Sequence, residues 1–149
     1  IILIAFDTNK SANFLNDNQN EYKRFLKTQK LIRKIDEIHI IDINKKLLFT
    51  NLEDKTKYVP PVKGALELVI EDGRPLKILN APENISAAIM RLQAFDDRFI
   101  YVIKYLDPKI SNYLNESQEN FFCNYLPYSC DVAVVHFDND CNTFFIKIF

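Results

Sequence analysis

The sequence predicts an α+β domain in which helices at both ends bracket an antiparallel sheet. Three observations carry that expectation. Tyr22, Phe25, Leu26, Gln29, Ile32 and Ile35 recur at helical spacing and form one apolar stripe. The period changes at Asp36, and the run Ile38-His39-Ile40-Ile41-Asp42-Ile43 is rich in β-branched residues, as strands are. Two further apolar runs flank Phe95-Asp96-Asp97-Arg98 in the pattern of a hairpin, and Asp107-Pro108 then opens another helix.

Each element follows from local chemistry. Residues 3–16 are weakly helical. Asn18-x-x-Glu21 places a side-chain acceptor at a helix cap and a carboxylate in the first turn. Lys23, Lys27, Lys30 and Lys34 take the wet face of that helix. Asp42 to Lys46 supplies a turn, and Leu47 to Thr50 returns as a second strand. Glu53 to Pro61 is a polar loop. Val62 to Asp72 is helical, with Ala65, Leu66, Val69 and Ile70 apolar, and Gly73 stands where a left-handed residue ends a helix. Arg74 to Leu79 forms a third strand.

An Asp96-Asp97 turn would pair Phe95 with Arg98. Alternation along the strands then puts Met90, Leu92, Phe99, Tyr101, Ile103 and Tyr105 on a core face. Ile89, Arg91, Ile100, Val102 and Lys104 fall on the other. After Asp107 the stripe Ile110, Tyr113, Leu114, Ser117, Phe121 and Tyr125 runs to Pro127. The tail carries two apolar runs, 131–137 and 143–149, that suit a hairpin about Asp138-Asn139-Asp140.

Composition excludes several functions. The net charge of −1, from 19 basic and 20 acidic side chains, gives no basic excess for nucleic acid. Two glycines are too few for a phosphate-cradling loop. No run approaches the ~18 apolar residues of a membrane helix. The opening Ile1-Ile2-Leu3-Ile4-Ala5-Phe6 is either the last turns of a span or the buried face of a first helix. The chain lacks an initiating Met and reads as a piece of a longer polypeptide or a processed product. Cys123, Cys130 and Cys141 match no zinc spacing; they are ordinary thiols, with a Cys130–Cys141 bridge as the alternative in an oxidising compartment.

No catalytic residue, metal ligand or cofactor is assigned. The carboxylate pairs Asp36-Glu37, Glu71-Asp72 and Asp96-Asp97 are solvated or turn residues. Arg91 and Lys104, on one half-apolar face, are candidates to receive a small anionic ligand through a carboxylate or phosphate. The alternative is an ion pair with an acid of the 62–72 helix, such as Glu67. Tyr58 and Tyr101 are candidates to line the same pocket, with core packing as the alternative for Tyr101.

Phe25-Leu26-Lys27-Thr28-Gln29, then Arg33, then Ile40-Ile41-Asp42-Ile43-Asn44 resembles the start of the extracytoplasmic sensor region of NtrY-type nitrogen-regulation histidine kinases. Ala88-Ile89-Met90-Arg91-Leu92, with Asp97-Arg98-Phe99-Ile100-Tyr101-Val102 and Tyr105-Leu106-Asp107-Pro108, looks like the end of that region. The similarity covers roughly residues 15–125. It implies a PAS/Cache-like sensor domain at 18–126, a lead-in at 1–17 and an atypical tail at 127–149. It also implies a place between two membrane helices, at the periplasmic face of the bacterial inner membrane, with the fragment itself soluble. The parent would be a two-component sensor kinase acting on an NtrX-type response regulator, paired as a homodimer through its helices.

Two features depart from that family. The tail turns polar where a span should begin. The kinase parts are absent too: His39 and His136, the only histidines, sit in predicted strands as packed residues. This chain is therefore expected to sense and relay, not to catalyse. The alternative is a cytosolic PAS-like interaction domain without a ligand.

Overall fold

The computed structural model describes residues 1–15, 17–80, 83–112, 136–137 and 144–147. Two short helices, α1 (Ile2–Lys10) and α2 (Ala12–Leu15), precede the longer α3 (Gln19–Arg33). β1 (Glu37–Asp42) and β2 (Leu47–Thr50) form a hairpin, followed by a 3₁₀ turn at Lys55–Lys57 and by α4 (Ala65–Asp72). β3 (Leu76–Asn80), β4 (Ile85–Arg91) and β5 (Arg98–Tyr105) complete a meander, and β6 (His136–Phe137) and β7 (Phe144–Lys147) come from the tail. The sheet order is β2-β1-β5-β4-β3-β7-β6, with every neighbouring pair antiparallel. The fold is α+β and PAS/Cache-like, as the sequence predicts.

The ends of α3 show why it forms there. Asn18 Oδ1 accepts from the backbone N–H of Asn20 at 3.0 Å and of Glu21 at 3.3 Å, which satisfies donors the helix cannot. Lys34 closes the helix in the left-handed region at φ 53°. Gly73 ends α4 in the same way at φ 67°, and Gly is the residue that adopts this conformation without a Cβ penalty. Asp42 organises the β1–β2 turn by accepting from Asn44 and Lys46 N–H groups, each at 2.8 Å.

The sheet buries both faces. One face packs against α4 through Ile41, Leu66, Val69, Ile89, Phe99, Tyr101 and Ile103. The other packs against α1, α2 and α3 through Ile4, Leu15, Tyr22, Leu26, Ile38, Ile40 and Ile100. Tyr22 stacks on Phe49 with ring centroids 3.8 Å apart. The apolar opening of the chain thus lies partly in the core: Ile4 and Ala5 are buried, whereas Ile2, Leu3 and Phe6 are exposed. Among the described residues no helix is long and apolar enough to cross a membrane.

Two expectations need correction. Arg91 pairs with Phe99, and Leu92 N–H donates to the Arg98 carbonyl at 2.8 Å, so Phe95 does not pair with Arg98. A two-residue hairpin turn needs positive φ at the first central residue (type II′) or at both (type I′), and of Asp96 and Asp97 only the second, Asp97, has it, at 50°. The loop is longer because Phe95 turns inward, 6.3 Å from the Tyr22 ring and under the Arg98 guanidinium at 5.2 Å. The shift in register moves Met90 and Leu92 to the α3 face and Ile89 and Arg91 to the α4 face with Phe99 and Tyr101.

The second correction is Ile32, which is exposed rather than part of the buried stripe. At 100° per residue it lies roughly 80° from the Tyr22 line, and Arg33 takes the inward position, pairing with Asp7 of α1 at 2.9 Å. The tail carries the expected antiparallel pair. Its two strands pair as Phe137 with Phe144, and β7 then adds to β3, so this segment belongs to the sheet. The turn about Asp138-Asn139-Asp140 and the three cysteines lie outside the described residues, as does the helix after 112. Its start conforms: Asp107 Oδ1 accepts from Lys109 N–H at 2.8 Å.

Phe99 is fully buried where α4 meets the sheet. Phe99→Ala is expected to cost about 3–5 kcal/mol, whereas Leu31→Ala, at a position that is 77% exposed, should stay within about 0.5 kcal/mol. Urea unfolding of the two variants measures the contrast.

Candidate functional site

β1 runs between β2 and β5 and is buried from Glu37 to Ile41. Alternation sends Ile38 and Ile40 toward the N-terminal helices, which leaves Glu37, His39 and Ile41 on the α4 face. Two polar residues two apart thus enter the interior together, and each needs partners there. The register supplies them: His39 lies between Thr50 on β2 and Tyr101 on β5.

The network admits one assignment. His39 Nε2 is 3.0 Å from Glu37 Oε2, and a carboxylate only accepts, so Nε2 carries the proton. Burial lowers the His39 pKa below its usual value, against the opposing pull of Glu37. The imidazole is therefore neutral, and Nδ1 accepts from the Thr50 hydroxyl at 2.9 Å. Thr50 Oγ1 in turn accepts from Leu52 N–H at 3.0 Å. The second Glu37 oxygen accepts from the Tyr105 hydroxyl.

Tyrosines surround this core. Tyr58 meets the His39 ring edge-on at 5.1 Å and donates to the Lys45 carbonyl at 2.8 Å. Burial and the nearby Asp42 push its phenol up to about 12. Tyr101 lies 5.7 Å from the His39 ring, and its phenol is also raised, first by burial and then by its tyrosine and carboxylate neighbours. Tyr105 is pushed up to about 12, first by the hydrogen bond it donates to Glu37. All three phenols keep their protons at neutral pH.

A cavity of about 70 Å³ opens beside the cluster. Glu37, Tyr101, Tyr105 and Glu83 supply polar groups to its wall, Ile78, Ala87 and Ile103 its apolar floor, and Lys57, Val59 and Pro60 its rim. Tyr101 is in this wall, whereas Tyr58 packs on His39 outside it.

Arg91 and Lys104 are not brought together. The register puts Arg91 on the α4 face and Lys104 on the opposite one. Both form ion pairs, but not with Glu67: Arg91 pairs with Asp97 at 3.2 Å and Lys104 with Asp36 at 3.4 Å. Lys104 stands with Lys77 in a groove of about 200 Å³ that Ile1, Ile35 and Val102 also line. The expected two-cation anion site is therefore absent in that form.

Glu37, His39, Thr50 and Tyr105 were missed as a group. The Glu37-x-His39 spacing was the available signal, since i and i+2 share a strand face. The order hydroxyl, imidazole, carboxylate is that of a nucleophilic triad. Here, however, His39 is wholly buried, and the Thr50 oxygen is occupied by His39 and Leu52. Among the described residues no three His, Cys, Asp or Glu side chains converge as a metal site. Comparison with protein-family models and with curated proteins gave no match.

The lowered His39 pKa sets a pH window. Unfolded histidine takes its proton near pH ~6.5, so between that value and the lower folded pKa the unfolded chain binds more protons. Stability then rises with pH, is full above pH ~6.5, and falls as pH drops through the folded value. Glu53, held at about 2 by Lys23 and Lys27, loses its contribution only at more acid pH. Urea midpoints between pH ~7.5 and ~5 should decline, and His39→Gln should flatten the decline while costing about 1–3 kcal/mol at neutral pH.

Proposed function

We propose that this chain is the signal-input domain of a membrane histidine kinase of the NtrY type, positioned at the periplasmic face of the inner membrane. The parent would act on an NtrX-type response regulator. The sequence resemblance supports the reading, and so does the PAS/Cache-like sheet with flanking helices. The observation that carries it is the position of Tyr105. This residue lines the cavity, ends β5 and precedes by two residues the aspartate that caps the following helix.

A ligand in the cavity would meet a side chain on the strand end that leads into the output helix. Such coupling requires a ligand that prefers one of two arrangements of Tyr105 and Glu37. Asp36 adds a tether, because its Oδ2 accepts from Tyr105 N–H at 2.8 Å. A change at Glu37 is therefore felt on both sides of the last β5 residue.

Pairing of two copies through α3 is the second part of the proposal. Leu31 and Ile32 stand exposed together at its C-terminal end, where an apolar contact would bury them.

A thermal-shift screen against amino acids, organic acids, amines and phosphate tests ligand input. A rise of several degrees with one class is the expected result, and no rise with any compound would favour a ligand-free cytosolic interaction domain. Sedimentation at high concentration is expected to show self-association that Leu31→Lys abolishes; strict monomers throughout would remove the pairing.

A further inference from the structure

We infer that the cavity between Glu37 and Tyr105 is a site for a small organic ammonium ion, bound by charge to Glu37 and by its positive face to the tyrosine rings. The inference rests on the input-domain reading and names its ligand class. It reverses the sign expected from Arg91 and Lys104.

Charge carries the argument. Glu37 is 8% exposed, and a buried carboxylate is costly unless a cation or several donors compensate it. Its nearest basic group, His39, is the neutral donor described above. Among the described residues no lysine or arginine pairs with Glu37. The buried carboxylate in the cavity wall is Glu37, with Lys57 at the rim. An anion reaching the inner end of this space would meet the Glu37 carboxylate.

Hydrogen-bonding capacity points the same way. Each Glu37 oxygen accepts one hydrogen bond, from His39 or from Tyr105, and each carboxylate oxygen can accept two. An ammonium N–H can therefore add to Glu37 without displacing His39. The rings of Tyr101 and Tyr105 contribute negative faces that attract cations.

Size limits the ligand. A cavity of about 70 Å³ has room for a few water-sized groups, each needing at least about 10–15 Å³ of such space. That admits a head group of a few heavy atoms. A longer carbon tail would leave past Val59 and Pro60, which are exposed at the rim.

The ligand also has a route to the output helix. Tyr105 donates to the carboxylate that the ammonium ion would contact, so a bound cation draws on the same negative charge and weakens the Tyr105 hydrogen bond. Occupancy then loosens the Tyr105 side chain at the end of β5.

Isothermal titration of the whole chain with methylammonium and ethanolamine, with acetate and phosphate as controls at fixed ionic strength, tests the inference. One ammonium compound is expected to saturate the site. Glu37→Gln should weaken it about tenfold or more, as loss of a charge-assisted bond implies. Tyr105→Phe, which keeps the ring and removes the competing donor, should tighten it. Val59→Trp changes only the rim, at a position that is 64% exposed, and should weaken binding without the folding risk of a buried substitution. Ammonium binding that survives both Glu37→Gln and Val59→Trp would overturn the assignment. Binding of acetate or phosphate alone would overturn it while leaving the input-domain reading intact. Silence of every compound in the wider screen would remove that reading and the ligand class with it.

Discussion

Burial of β1 on both faces is the constraint from which the rest follows. A strand in that position cannot show a polar side chain to water, so Glu37 and His39 must find partners inside. The neighbouring strands are cut to provide them. Thr50 stands opposite His39 on one side and Tyr101 on the other. Tyr105 reaches back to Glu37 from the end of β5. The strand that holds the sheet together therefore also builds its only described interior chain of hydroxyl, imidazole and carboxylate.

The opposite face solves a different problem. Three helical segments must close over it without a long connection between them. Asp7 joins α1 to α3 through Arg33 and Gln29 at 2.9 and 3.2 Å. Glu53 gathers Lys23 and Lys27, which ties α3 to the loop after β2. Such exposed pairs contribute little energy each. Their role is to fix where α3 lies while Tyr22, Leu26 and Phe49 supply the apolar contact. Arg98 joins the two levels, bonding Asp17 at 2.6 Å and covering the rings of Phe49 and Phe95.

Much of this was legible in the residues. Asn18, Gly73, Asp42 and Asp107 announce their caps and turns because the chemistry of a cap is local. The switch from helical to alternating period at Asp36 places β1 within a residue. The hairpin register was not legible, because nothing local reveals that Phe95 will turn toward Tyr22, a residue far away in sequence. Once that contact forms, Asp97, two residues on, takes a left-handed backbone and β4 pairs with β5 in a different alignment. Arg91 and Lys104 part company for that reason alone. The polar cluster was hidden for a related reason: Glu37 looked like half of a solvated acidic pair until Tyr105 and His39 were found beside it.

The way the sheet terminates bears on solubility. An open edge of hydrogen-bonding groups is a template on which other chains can stack into fibrils. Here β7 shields the flank of β3, and among the described residues the sheet finishes in strands of two and four residues. The four-residue margin is further broken by a register shift between Ile40 and Ile41, which leaves Leu48 without a counterpart. Among the described residues neither border presents a long regular run of unpaired backbone, the feature on which another chain would stack.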